Sequence, residues 1–147
     1  MSKGRIMVVE DEFILAQGIV TQLAALGYSV TSHQTSGEAA VKAVEKDLPD
    51  LILMDIVMPG RLDGIEAAEE IRKKLSVPIV FLTAYSDDET IERAKLTEPF
   101  GYLLKPFTER ELYIGIEMAL HKDKAEKDPK RSWKRSPSIT DFDPDLL

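Results

Sequence analysis

From its amino terminus the chain alternates short, wholly apolar runs with longer stretches whose apolar residues recur at helical spacing. Ile6-Met7-Val8-Val9 is apolar without a break and ends abruptly in Glu10-Asp11-Glu12. Such a run predicts a strand buried on both faces, as in a parallel sheet. From Phe13 the period changes: Ala16, Ile19, Val20, Leu23 and Leu26 form one stripe, and Gly27 is placed to stop a helix. Residues 28–32 alternate like a strand. Ser36 then caps a short helix that buries Ala40, Ala43, Val44 and Leu48 before Pro49 ends it. Leu51-Ile52-Leu53-Met54-Asp55 reads as a third strand, followed by a Pro59-Gly60 turn. Asp63 and Glu66 have capping-box spacing for a helix with Ala68, Ile71 and Leu75 inward. Residues 77–82 read as a fourth strand, with Pro78 tolerable near its start. Ser86 and Glu89 repeat the capping-box spacing for a helix through about Leu96, and residues 100–104 make a fifth strand. Thr108 and Glu111 cap a last helix that buries Leu112, Ile116, Ala119 and Leu120.

Five strand-then-helix units with connections this short imply parallel strands joined by right-handed crossovers. The predicted fold class is α/β, a flavodoxin-like doubly wound (βα)5 sandwich whose five-stranded parallel sheet has the order 2-1-3-4-5. The domain spans residues 1–122. Beyond Lys122 the periodicity stops. A basic run at 130–135 around Trp133, a Ser136-Pro137 step and an acidic, proline-containing end predict a linker or disordered tail over residues 123–147.

Composition narrows the function classes. A chain of 147 residues, 44% hydrophobic and 31% charged, is ordinary for one soluble domain with a real core. The absence of cysteine excludes a disulfide framework and a thiolate metal site. Nowhere do 18 apolar residues run together, and the opening segment leads into a strand instead of a signal peptide, so a cytoplasmic location without a membrane partner is expected. Residues 123–147 carry six Lys+Arg and six Asp+Glu, so the net charge of −7 belongs to residues 1–122. That acidity argues against a nucleic-acid partner.

In sheets of this kind the carboxyl ends of the strands converge on one edge, where sites form. The residues that follow the apolar runs are Glu10 and Asp11, Asp55, Thr83, and Lys105 with Pro106. Three carboxylates brought together repel one another unless a cation joins them. Oxygen ligands with no His or Cys nearby suit Mg²⁺ and disfavour zinc. Lys105 offers a point charge, and Thr83 a hydroxyl, to phosphoryl oxygens. The set has the parts of a phosphoryl transfer in which Asp55 attacks phosphorus and becomes an acyl phosphate. Taken singly each residue has a plainer reading: a strand-end Asp in a turn, Glu10, Asp11 or Glu12 as helix caps, Thr83 as the end of a strand, Tyr102 as a packing residue. His33 and His121 read as surface residues.

Taken in order, Glu10-Asp11, Met54-Asp55-Ile56 with Met58-Pro59, Thr83-Ala84 and Lys105-Pro106-Phe107 resemble the motifs of receiver domains of two-component response regulators. The likeness runs over residues 5–121 and matches the single-domain chemotaxis regulators in extent. It implies that Asp55 is the phosphoacceptor and that a histidine kinase or phosphotransfer protein is the donor. Mg²⁺ would be held by Glu10, Asp11, Asp55 and the backbone carbonyl of Val57, with Asp11 the more direct ligand of the acidic pair. Lys105 and Thr83 would contact the phosphoryl group, and Thr83 and Tyr102 would couple it to the face formed by helix four, strand five and helix five. That face would bind a downstream protein target, or a second copy as a homodimer, and the domain would catalyse only its own phosphorylation and dephosphorylation. The Lys105-Pro106 bond is expected to be cis.

Two departures from the family pattern stand out. Met58-Pro59-Gly60-Arg61-Leu62-Asp63-Gly64 is one residue longer than usual, so the loop beside the site changes shape and Arg61 is placed to reach over it. Val57 and Tyr85 fill the two positions that modulate access of attacking water, and an apolar and an aromatic residue there imply slow self-dephosphorylation.

Other classes fit less well. A haloacid-dehalogenase-like phosphatase needs a second carboxylate two residues after its nucleophile, where this chain has Val57. A flavodoxin-like FMN carrier needs a hydroxyl- and glycine-rich first loop, whereas Glu10-Asp11-Glu12 repels an unescorted phosphate. A pure scaffold would have lost Asp55 or Lys105. Within signalling, an N-terminal module of a larger kinase is the other reading.

Overall fold

The computed structural model describes residues 2–84, 88–95 and 101–127. Strands and helices alternate strictly: β1 (Arg5–Val9), α1 (Phe13–Leu26), β2 (Ser29–Gln34), α2 (Gly37–Asp47), β3 (Leu51–Asp55), α3 (Gly64–Lys74), β4 (Ile79–Thr83), α4 (Asp88–Lys95), β5 (Gly101–Leu104) and α5 (Glu109–Lys127). All neighbouring strands pair in parallel, in the order β2-β1-β3-β4-β5. This is the topology that the apolar runs imply. The expectations for Tyr85, for Ser86 as a cap, for Leu96 and Phe100 as element ends, and for the 130–135 run with Trp133 lie outside the described residues.

The central strands lack polar alternation because each of their faces enters a different core. Ile6, Val8, Leu51, Leu53, Val80, Leu82 and Leu103 pack with Ile19 and Leu23 of α1 and Leu112, Ile116 and Ala119 of α5. Met7, Val9, Ile52, Met54 and Phe81 pack on the other side with Ala40 and Val44 of α2, Ile65, Ala68 and Ile71 of α3, and Ala94 of α4. Each fully buried Leu, Ile or Phe contributes about 1.5–3 kcal/mol. Together they hold the strand ends in fixed register.

Helix ends follow local chemistry. Gly27 closes α1 at φ 98, in the left-handed region glycine adopts readily. Ser36 Oγ accepts the Ala39 N–H at the start of α2. Reciprocal bonds between Asp63 and Glu66, and between Thr108 and Glu111, form two of the expected capping boxes.

Four boundaries differ from the sequence reading. Leu48, expected in the core, is 53% exposed, because it caps α2 at φ 49 where Pro49 denies its predecessor the right-handed helical region. Strand β2 starts at Ser29 and runs to Gln34, since Met7, Val8 and Val9 offer ladder partners to Ser32, His33 and Gln34 whatever their polarity. Strand β4 starts at Ile79, after Pro78, whose carbonyl nonetheless accepts the Ile52 N–H at 3.0 Å. Helix α5 continues past Lys122 to Lys127, whose ammonium bonds the Ser76 carbonyl and Asp123, both at 3.0 Å. Among the described residues no helix is long and apolar enough to cross a membrane.

Candidate functional site

Register brings the site together. Val9 pairs with Met54, so Glu10 and Asp55 leave the sheet side by side from β1 and β3. Asp55 pairs with Leu82, the residue before Thr83, and Thr83 pairs with Leu104, the residue before Lys105. The Lys105 N–H donates to the Thr83 carbonyl at 2.7 Å and so carries β5 pairing one step beyond the strand. The Lys105 ammonium then lies 2.9 Å from Glu10 Oε1 and 3.3 Å from Asp55 Oδ2. Glu10 is fully buried, Asp55 is 6% exposed and Thr83 8%. Oε2 of Glu10 accepts the Glu12 N–H at 3.1 Å, so Glu10 turns into the site while Glu12 stands at the start of α1 without a side-chain cap bond. The Lys105–Pro106 peptide is cis.

Asp11 is exposed at the rim, and one carboxylate oxygen each from Glu10, Asp11 and Asp55 lies within 4.8 Å of the others. Burial, followed by the charge of Glu10, raises the Asp55 carboxyl to about 7 against the pull of Lys105. Burial also works against ionised Glu10, but hydrogen bonds from Lys105 and from the Glu12 N–H outweigh it and leave its carboxyl below the ordinary value. Lys105, despite its own desolvation, is held above the usual ammonium range by Glu10 and Asp55. One ammonium thus faces two buried carboxylates and a third at the rim. The excess negative charge and the all-oxygen donor set fit a hard divalent cation of the Mg²⁺ type.

Behind Asp55 the chain makes its longer turn into α3. The Gly64 N–H donates to the Ile56 carbonyl at 2.8 Å, and a Cβ on Gly64 would overlap the Asp55 carbonyl oxygen. Glycine is therefore required there by contact with the backbone of the site itself. Arg61 contacts α2. Its N–H bonds Glu38 of α2 at 2.9 Å, and its charge helps keep the Glu38 carboxyl low. At the end of the turn, Asp63 also accepts a bond from Arg93 of α4 at 2.9 Å.

The remaining expected residues are placed as follows. Val57, two residues past Asp55, is exposed, and Tyr102 on β5 is 38% exposed with its ring centroid 6.2 Å from that of Phe81. His33 is not simply a surface residue: its Nε2 lies 2.7 Å from the Glu10 carbonyl oxygen. The sequence marks Gly60 as a turn residue and Gly64 as part of the longer loop, but gives Glu38 no role. Both glycines follow the proline of the turn, whereas Glu38 looks like any acidic residue in a first helical turn.

Comparison with known proteins agrees with this geometry. The sequence profile of the response regulator receiver domain matches residues 6–117. The transcriptional regulatory protein PdtaR of Mycobacterium tuberculosis is 40% identical over 116 residues, covering 79% of this chain and 56% of that protein. A probable transcriptional regulator, ycf27 of Porphyridium aerugineum, is 37% identical over 85% of this chain and 52% of its own length. The chain therefore spans about half the length of the curated relatives it matches. Among solved structures, the signal receiver domain of a modulated diguanylate cyclase from Desulfovibrio desulfuricans superposes with a TM-score of 0.81 at 41% identity, covering 84% of this chain and 98% of that one.

Proposed function

This chain belongs to the receiver domain family of two-component response regulators, and from that premise we propose that Asp55 accepts a phosphoryl group from a histidine kinase or phosphotransfer protein in a Mg²⁺-dependent reaction. The observation that carries the reading is Lys105 between Glu10 and Asp55, with the Asp11 carboxylate at the rim. An Asp55 oxygen attacks phosphorus as the phosphorus–nitrogen bond of the donor's phosphohistidine breaks. The products are an aspartyl phosphate and a free imidazole. Lys105 would meet a phosphoryl oxygen on Asp55, and Thr83 would offer a hydroxyl from the end of β4. Glu10, Asp11, Asp55 and the Val57 carbonyl would hold Mg²⁺, which supplies charge neutralisation for the phosphoryl oxygens when bound. The domain has no separate substrate to turn over. Val57 brings no group that activates water, which supports slow self-dephosphorylation.

The donor must approach Asp55 past α1, and that surface suits a protein. Helix α1 carries no charged side chain, Ile14 is 86% exposed, and an apolar groove of about 760 Å³ runs from Ile14 and Leu15 to Pro106 and Phe107. Output would pass through the face of α4, β5 and α5. There Tyr102, Leu104, Ile114 and Met118 expose apolar surface for a downstream protein or a second copy of the chain. A cytoplasmic setting, where such kinases present their phosphohistidine, belongs to the same proposal. Intact mass after incubation with acetyl phosphate tests it: one phosphoryl group gained with Mg²⁺, none without it and none in Asp55→Asn. No gain by the wild type under any condition would leave a scaffold.

A further inference from the structure

The turn between β3 and α3 is one residue longer than the family pattern, and its contacts lead away from the site to α2. Glu38, in the first turn of α2, accepts the Arg61 N–H on Oε2 at 2.9 Å and the Leu62 N–H on Oε1 at 3.4 Å. Gly60 enters this contact at φ 97, and a Cβ there would come within 2.7 Å of Glu38 Oε2. On the α2 side, a Cβ on Gly37 would lie 2.8 Å from the Leu62 carbonyl oxygen. The helix and the turn are thus fitted to each other by a glycine on each side, with the carboxylate bridging them. The Arg61 N–H bond, before any other cause, keeps the Glu38 carboxyl below its ordinary value. Ionised Glu38 therefore makes charge-assisted bonds to the turn.

The other end of the same segment is pinned as well. Gly64 bonds Ile56 and leaves no room for a Cβ beside the Asp55 carbonyl, and Met58 is buried in the core. Between Ile56 and Gly60 lie only Val57, Met58 and Pro59, and the proline ring fixes φ at its position. The backbone at Val57 is thus bounded by the Ile56–Gly64 contact on one side and, across Met58 and Pro59, by the 60–62 turn on the other.

We propose that Glu38 is a positioning residue for Mg²⁺: by fixing the 60–62 turn it sets where the Val57 carbonyl stands relative to Asp11 and Asp55, and so sets the affinity for the ion. This rests on the phosphoacceptor reading above. Glu38 acts through the turn and not by touching ion or phosphoryl group.

The test compares wild type, Glu38→Gln and Glu38→Ala in two measurements. One is Mg²⁺ binding by calorimetry in the absence of any phosphodonor. The other is the initial rate of phosphorylation by acetyl phosphate across a Mg²⁺ titration. Supporting residues around metal ligands change affinity by tenfold or more, so Glu38→Ala is expected to weaken Mg²⁺ about tenfold and to raise the half-saturating concentration equally. The maximal rate at saturating Mg²⁺ should stay within about twofold, because the chemistry itself is untouched. Glu38→Gln keeps an acceptor oxygen and the side-chain shape, and should fall between the two. Unchanged Mg²⁺ affinity in Glu38→Ala, whatever its melting temperature, overturns the proposal, as does a lower maximal rate at unchanged affinity. A wild type that binds no Mg²⁺ overturns the reading beneath it, and that failure is visible before any variant is made.

Discussion

The Lys105 ammonium lies 2.9 Å from Oε1 of Glu10, a fully buried residue at the first strand's end, far from it in sequence. No local pattern joins them. The contact exists because β1 and β5 both end at the same edge of the sheet, with β3 and β4 between them. It puts one positive charge among carboxylates that would otherwise repel one another at close range.

Removing that charge is the first expected effect. Lys105→Met should destabilise the metal-free protein at neutral pH by about 1–3 kcal/mol, since Glu10 loses a buried charged partner. It should also push the Asp55 carboxyl above about 7, because Lys105 is what lowers it. Denaturant unfolding and carboxyl-carbon NMR titration read the two effects. An unchanged Asp55 titration would mean that Lys105 does not act on it.

Stability of the metal-free protein should depend on pH through Asp55. Its carboxyl titrates at about 7 when folded and at an ordinary 3.8 when unfolded. Between these values the folded chain keeps a proton that the unfolded chain has lost, so this contribution to stability falls as pH rises and is fully lost above about 7. Glu10, held below 4.5, acts in the opposite sense but changes only at lower pH. Asp55→Asn should therefore be more stable than wild type at pH 8 in EDTA, by on the order of a few kcal/mol, with the gap closing toward pH 4. A gap independent of pH would contradict the assignment.

Much of this is legible in the amino-acid sequence. Leu51–Asp55 is legible as a central strand because burial on both faces leaves no polar residue until Asp55. The strand-end residues are legible for the same reason, each being the first polar group after an apolar run. Strand β2 is less so. Its residues 29–34 are mostly polar, and their extent is decided by pairing with β1, which no local pattern encodes. Leu48 reads as a core position by spacing alone, and only its left-handed cap conformation before Pro49 turns it outward. Glu38 is not legible at all, since its role depends on α2 meeting a turn more than twenty residues away.

Mg²⁺ should stabilise the folded domain by relieving the repulsion among Glu10, Asp11 and Asp55. At a hundredfold excess over its dissociation constant the gain is about 2.7 kcal/mol, which calorimetric melting reads as a rise in Tm. Asp11→Ala should abolish most of the rise. An equal rise in the variant would move the ion away from Asp11.

Gly64→Ala should damage site and stability together. The added methyl would overlap the Asp55 carbonyl oxygen, so the backbone of the phosphoacceptor must shift. Overpacking of this kind costs about 1–3 kcal/mol. Phosphorylation by acetyl phosphate should slow in the fraction that remains folded. A variant with wild-type stability and rate would show that the turn can move freely, and would weaken the case for its control by Glu38.

The most direct measurement is the location of the phosphoryl group. Wild-type protein phosphorylated by acetyl phosphate with Mg²⁺, then reduced with borohydride, should yield homoserine in place of Asp55 in the peptide containing Met54 and Ile56. The unphosphorylated control should retain aspartate there. Homoserine at another carboxylate, or aspartate retained at Asp55 in protein that carries the phosphoryl mass, would contradict the account.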